Sequence, residues 1–541
     1  MNKNIIGVFV VFALFSAAVI GISFIDFGGD DLEIESSQTV GYWEGTTYDE
    51  EIEADGSLVP MDQREDIIHR SIARAEVLRG EPLQEDLSVE FQTREEFQED
   101  NPFNMEESQY SQWSDTLWGA QLLIPQPVQY SDVRNDVYRN QVLAYYLIGQ
   151  NEIVVVTEFE DDRESVYIPE QKLIHEITHA IQDQRFGLAS ESLQSEFTPE
   201  RQGHLTLVEG EAVVVENLYE QRCERQWDCL DTYNLNDMTG EREYNYTGYD
   251  LIADAPYSIG EPFVQNTYDD GGWDAVDELY TTNPPYTSTD VLFENQGTDM
   301  QNTWVYATDI SRQGWNRYEA RGIDGRDSIG HIGMSSMLYH IEQEYDVHTN
   351  SSSMFNQGTG RYTHRTTLSD QLRYDSIIPY QQVDGGTGFT WKIVWEDEES
   401  ADLFVDAYSE ALRQSGGSEI GESEEYEIQE DIERSLLYRG GAEFRGVYSI
   451  NRNENIVSIS SADNEEALST LRPPSEDPIV VGTYTQIDLD RSSYQIEEQD
   501  NIEDVPESES TLQSIRPYLT FILFVIVFIG VTYIVVKAEA E

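Results

Sequence analysis

The chain has 541 residues, 39% hydrophobic and 11% aromatic, which is enough apolar material for several packed domains and excludes wholesale disorder. Against this stand 104 Asp and Glu to 32 Lys and Arg, a formal net charge of −72, with only four lysines: Lys3, Lys172, Lys392 and Lys537. So anionic a chain repels phosphate backbones, which excludes nucleic acid as a partner. The acidity is dispersed rather than confined to a tail, and lysine is scarce. Both features fit a surface built for molar salt, where the Debye length falls to about 3 Å and self-repulsion is screened.

From the N-terminus, residues 5–25 form an uncharged apolar run after Lys3, long enough to span a bilayer and also compatible with a secretory signal. Residues 26–60 are an acidic linker. From Asp62 onward, Ile67, Ile68, Ile72, Ala75, Val77 and Leu78 have helical spacing, and Val89 to Phe91 alternate like a strand. Residues 142–156 hold two apolar runs around Gly149-Gln150-Asn151, which predicts a hairpin. Pro169 then opens a helix, in a position where proline is tolerated.

The region 301–480 reads as a smaller α+β domain after a first domain at 61–300. Its strand Phe389 to Trp395 is followed by a helix with Leu403, Phe404, Ala407, Ala411 and Leu412, and then by a hairpin around Asn451-Arg452-Asn453-Glu454. An acidic linker, 481–515, leads to a second apolar run at 517–536, followed by Lys537. The two terminal runs predict flanking transmembrane helices with lysines on the cytoplasmic side, and so a cell-membrane protein with an extracellular ectodomain. Cys223 and Cys229 are the only cysteines, and an oxidising compartment makes a local disulfide the expectation.

The predicted helix after Pro169 carries His175-Glu176-Ile177-Thr178-His179, an HExxH pattern. Imidazoles four residues apart share one helix face and can hold one Zn²⁺, and Glu176 is placed to act as general base on an activated water. A third ligand is needed. Glu209, on a second amphipathic helix with Gly210 for close approach to the HExxH helix, is the first choice; Glu211 is the second and Glu216 the third. Asp183, four residues past His179, is either the acceptor for a ligand imidazole or a solvated carboxylate. His204 is expected at the surface.

The run His175 to Gln184, followed by Val208-Glu209-Gly210-Glu211-Ala212, resembles a broad family of zincin-like bacterial and archaeal proteins with HExxHAxQDQ and then an EGxA helix. The likeness continues at Pro256 to Gly260, Gly271-Gly272-Trp273, Pro284-Pro285 and Trp391 to Trp395, over about residues 62–460. The layout is similar to that of a haloarchaeal membrane-anchored surface protein of this family. The resemblance implies an α+β fold with a zincin-like metalloprotease domain and a gluzincin-type site, in which His175, His179 and Glu209 bind zinc and Glu176 is the base.

One departure stands out: where relatives carry His-Pro-Glu, this chain has Phe293-Glu294-Asn295. If that histidine stabilises the oxyanion in relatives, this chain lacks it. A phenol can donate the same hydrogen bond, which makes Tyr244, Tyr246 and Tyr257 candidates. The expected activity is outward-facing zinc-dependent hydrolysis of peptide or protein substrates at the cell surface. The alternative is a non-catalytic surface protein that keeps the site as a binding or structural module.

Overall fold

The structure is a computed structural model. It describes residues 39–471 apart from 53, 100, 161–162, 190–194, 196, 232–238, 283, 294–302, 307–313, 319–324, 357–359, 384 and 422–432, together with 480–483 and 524–526.

The first half is built on a helix, Arg64–Arg79, ended by Gly80 in the left-handed conformation at φ 77°. Its apolar stripe packs with the hairpin strands Ala144–Leu147 and Glu152–Val156 and with the HExxH helix, Glu170–Phe186, in one core. The strand Ser88–Gln92 runs parallel to 152–156, whereas 144–147 runs antiparallel to it. A buried carboxylate ties the helices together. Glu170, the first residue of the HExxH helix, accepts from Arg70 Nη2 at 3.1 Å, Arg74 Nη1 at 2.8 Å and the Tyr219 hydroxyl at 2.8 Å. A charge buried this deeply is tolerated because every partner is in place; losing one would cost about 3–5 kcal/mol.

Two further helices cross behind the HExxH helix. Thr198–Cys223 starts on Pro199 and ends at the disulfide between Cys223 and Cys229. Thr247–Thr281 carries Pro256 and Pro262 inside and is kinked at Gly272, φ 69°. They cross where Gly210 meets Gly260, so the close approach expected between Gly210 and the HExxH helix is made instead to the helix 247–281. A β-carbon on Gly210 would lie 2.4 Å from the Gly260 carbonyl carbon, so only glycine permits this approach.

The second half is a seven-stranded antiparallel sheet in the order 315–317, 372–382, 387–395, 456–462, 447–453, 434–439, 418–421. The helices Gly330–Tyr345 and Glu398–Gln414 share its core, and so does the helix Gln109–Ala120 from the first half. Trp113 and Leu117 pack in one cluster with Trp391, Trp395 and Phe404. The core of the second sheet therefore reaches back across the boundary expected at residue 300.

The described fold is mixed α and β, and the expectation of flanking transmembrane helices is corrected. Among the described residues no helix is long and apolar enough to cross a membrane. The run 5–25 lies outside the described residues. Within 517–536, the described residues are the strand Phe524–Ile526, whose backbone pairs antiparallel with residues 145–147. Aromatic and β-branched residues suit a strand, and this pairing occupies the hydrogen-bonding groups on the outer edge of 144–147.

Candidate metal centre

Nearly three turns of the HExxH helix are buried from Leu173 to Gln182, so its two histidines face protein and not solvent. The helix 198–223 presents Glu209 to them. His175 Nε2 lies 3.2 Å and His179 Nε2 3.6 Å from Glu209 Oε2, and the three ligand atoms fall within 4.8 Å of one another. Of the three carboxylates weighed from sequence, the structure brings Glu209 to both imidazoles. Glu211, one position past Gly210, points the other way and pairs with Arg79, which also holds Asp277.

Glu216 sits behind the centre. Its Oε1 is 2.8 Å from His175 Nδ1, and both of its oxygens meet Lys172 Nζ, at 2.8 and 3.0 Å. On the other histidine, His179 Nδ1 pairs with Gln182 Oε1 at 2.7 Å, and the Gln182 amide donates to the Val208 carbonyl and the Tyr280 hydroxyl, both at 3.0 Å. The amide nitrogen is committed as a donor, so the oxygen accepts and His179 Nδ1 carries the proton. That leaves Nε2 with its lone pair toward Glu209.

Asp183 does not hold an imidazole. It accepts from the Tyr146 hydroxyl at 3.0 Å and the amides of Gly149 and Leu188 at 2.7 and 2.9 Å, so it joins the hairpin turn to the helix C-terminus. Gln182 and Glu216 are the residues behind the histidines. The QDQ run contained the signal for Gln182, three residues past His179 on the same face, while Glu216 has seven-residue spacing from Glu209, two helical turns on. His204, expected at the surface, is buried.

The electrostatics favour positive charge. Burial opposes the imidazolium of His175, but Glu216 and Glu209 outweigh it and hold its pKa up to about 9. Burial lowers that of His179. Burial would raise Glu209, yet the two histidines pull it below the usual carboxylate range, and Lys172 and His175 hold Glu216 at about 2. Glu176 is different: burial raises it to about 8, and neither carboxylate oxygen has a hydrogen-bond partner. His179 Nε2 is likewise buried without one. Unpartnered buried polar atoms are costly, and these converge beside a two-nitrogen, one-carboxylate ligand set. Two imidazoles and a carboxylate so placed are a donor set that could hold a metal ion such as zinc.

Of the three tyrosines, Tyr257 on the helix 247–281 reaches the centre. Burial and the neighbouring Glu209 carboxylate push its hydroxyl well above the usual phenol range, and its ring lies 6.3 Å from that of His175. Tyr244 and Tyr246 pack elsewhere, against the cluster of Ile124, Val133 and Val137. Phe293, where the resemblance leads to a histidine, makes an edge contact with His331 at 5.2 Å.

Among known proteins, residues 316–472 match a family model described as a domain of unknown function (DUF8575), which covers most of the seven-stranded sheet and none of His175, His179 and Glu209. No curated protein and no solved structure matches the chain.

Proposed function

We propose that this protein is a zinc-dependent hydrolase of peptide bonds, with His175, His179 and Glu209 as ligands and Glu176 as general base. Zinc held there would polarise the scissile carbonyl and make a water acidic enough to attack at neutral pH. A cation beside Glu176 would oppose the effect of burial and hold its carboxyl ionised, so that it could take the proton from that water and return it to the leaving amine. Gln182 and Glu216 keep the ligand imidazoles in the right tautomer and orientation. Tyr257, half-buried beside Glu209, is the donor available to the carbonyl oxygen as charge develops on it. The Cys223–Cys229 disulfide supports work outside a reducing compartment, where peptide and protein substrates would be met.

The observation that carries the reading is Glu176, a buried carboxylate with two unpartnered oxygens beside a three-ligand cluster. The experiment is Glu176→Gln in the full chain at high salt. Zinc content should stay at one per chain while casein hydrolysis falls by about 10²–10⁴. A variant as active as the parent would remove the mechanism.

The complete burial of His175, Glu176 and His179 also favours a second reading, a non-catalytic module whose metal is structural. In that case the parent would bind zinc and cleave nothing, and the chelated protein would lose several degrees of thermal midpoint, since about 4 kcal/mol of binding linkage is removed at a thousandfold excess over Kd.

A further inference from the structure

The turn of the long helix that bears Tyr257 is weak by composition. Pro256 and Pro262 stand at its two ends, each without an N–H, and Ser258 and Gly260 lie between them. A proline inside a helix forfeits the hydrogen bond to the residue four before it, so the carbonyls of residues 252 and 258 lose their helical partners. Such a segment does not hold a phenol in place unaided.

Two contacts from the second half of the chain grip this turn. Arg361, in the short hairpin of strands Phe355–Asn356 and Arg361–Tyr362, pairs with Glu261, which also accepts from Asn217 of the ligand-bearing helix at 3.0 Å. His364 follows the hairpin, is fully buried, and makes a 2.9 Å hydrogen bond through Nε2 with Ser258 Oγ. The Ser258 hydroxyl proton is directed to acceptors of its own helix, Asp254 O at 3.3 Å among them. The serine oxygen is therefore left to accept from His364 Nε2–H. His364 has φ +50°, a backbone conformation that costs a non-glycine residue about 1 kcal/mol or more and persists where surrounding contacts demand it.

We propose that His364 is a positioning residue: it braces the 256–262 turn through Ser258 and so sets Tyr257 against Glu209, which makes the domain of the family match a working part of the metal centre. The assignment of Tyr257 to the carbonyl oxygen rests on the hydrolase reading, whereas the brace itself does not.

The test has two readouts on the full chain in high salt. Backbone hydrogen exchange of residues 257–261 should quicken by about tenfold in His364→Ala, the worth of one hydrogen bond, and return toward the parent rate in His364→Gln, whose amide can donate in its place. Exchange in the HExxH helix should not change in either variant. Unchanged exchange at 257–261 would overturn the brace, as would equal acceleration everywhere.

The second readout is a double-mutant cycle on casein hydrolysis. His364→Ala should lower kcat about tenfold with KM little changed, and should have no further effect in a Tyr257→Phe background. Additive losses would overturn positioning through Tyr257. If the parent binds zinc and cleaves no peptide, the hydrolase reading fails while exchange still decides the brace.

Discussion

At the scale of single residues, the pairing of the two histidines was legible because it depends on spacing along one helix. His175 and His179 share a face through the 3.6-residue repeat, whereas Glu209 was the first of three carboxylates on a second helix, and the glycine beside it meets helix 247–281 and not the HExxH helix. What supports the histidines was not legible in the same way. Gln182 and Asp183 both follow His179 at helical spacing, and only tertiary contacts separate their roles: the longer amide folds back to Nδ1, while Asp183 reaches the hairpin turn.

A paired prediction follows from that division. Gln182→Ala should weaken zinc binding by about tenfold or more, because it frees the His179 ring and its tautomer. Asp183→Ala should leave zinc affinity within about twofold and instead destabilise the fold by about 1–3 kcal/mol, through lost hydrogen bonds to a carboxylate. Zinc titration and thermal melts on both variants decide it. The opposite pattern would restore the aspartate as the residue behind the imidazole.

At the scale of elements, local pattern found pieces and missed their assembly. The hairpin strands at 144–147 and 152–156 and the strand–helix run at 387–414 follow apolar periods that any neighbour would respect. The helix 247–281 was harder to see, since two prolines and several glycines argue against a helix and packing overrides them. The use of Trp113 and Leu117 in the second core is a long-range contact with no local signature.

Gly210 shows how an element-level constraint reaches the site. Its missing β-carbon lets helix 198–223 approach helix 247–281, and Glu209 is its immediate neighbour. Gly210→Ala should cost about 1–3 kcal/mol by overpacking and weaken zinc binding as Glu209 is pushed aside. Gly119→Ala is the control. It sits in the helix 109–120 with nothing within 4 Å of an added β-carbon, and it should be neutral or stabilise by up to about 1 kcal/mol. Equal effects from the two substitutions would show that helix approach does not set the ligand.

At the scale of the whole molecule, charge is the governing quantity, and the fold sharpens it. Arg70, Arg74 and Arg79 are fully buried, the first two against Glu170 and the third against Glu211, and Lys172 is drawn against Glu216 behind the metal centre. A chain with 32 cations thus sinks several of them into the interior, where they are spent on buried carboxylates and do not soften the surface. The count of charges was readable from sequence; which cations go inside was not, because that is decided by helix packing.

The two populations respond to salt differently. Buried pairs are screened little, whereas exposed carboxylates repel over a Debye length of about 10 Å at 0.1 M salt and about 3 Å at 1 M. Self-repulsion destabilises the compact state more than the expanded chain, so its removal should appear as a rise in stability. The thermal midpoint of the full chain should therefore climb steeply up to about 1 M salt and flatten beyond it, where screening is nearly complete. Sodium and potassium chlorides should act alike at equal ionic strength, since screening does not depend on which monovalent cation supplies it. A flat or falling midpoint would mean that the buried pairs and the apolar core, not surface repulsion, set the stability of this protein.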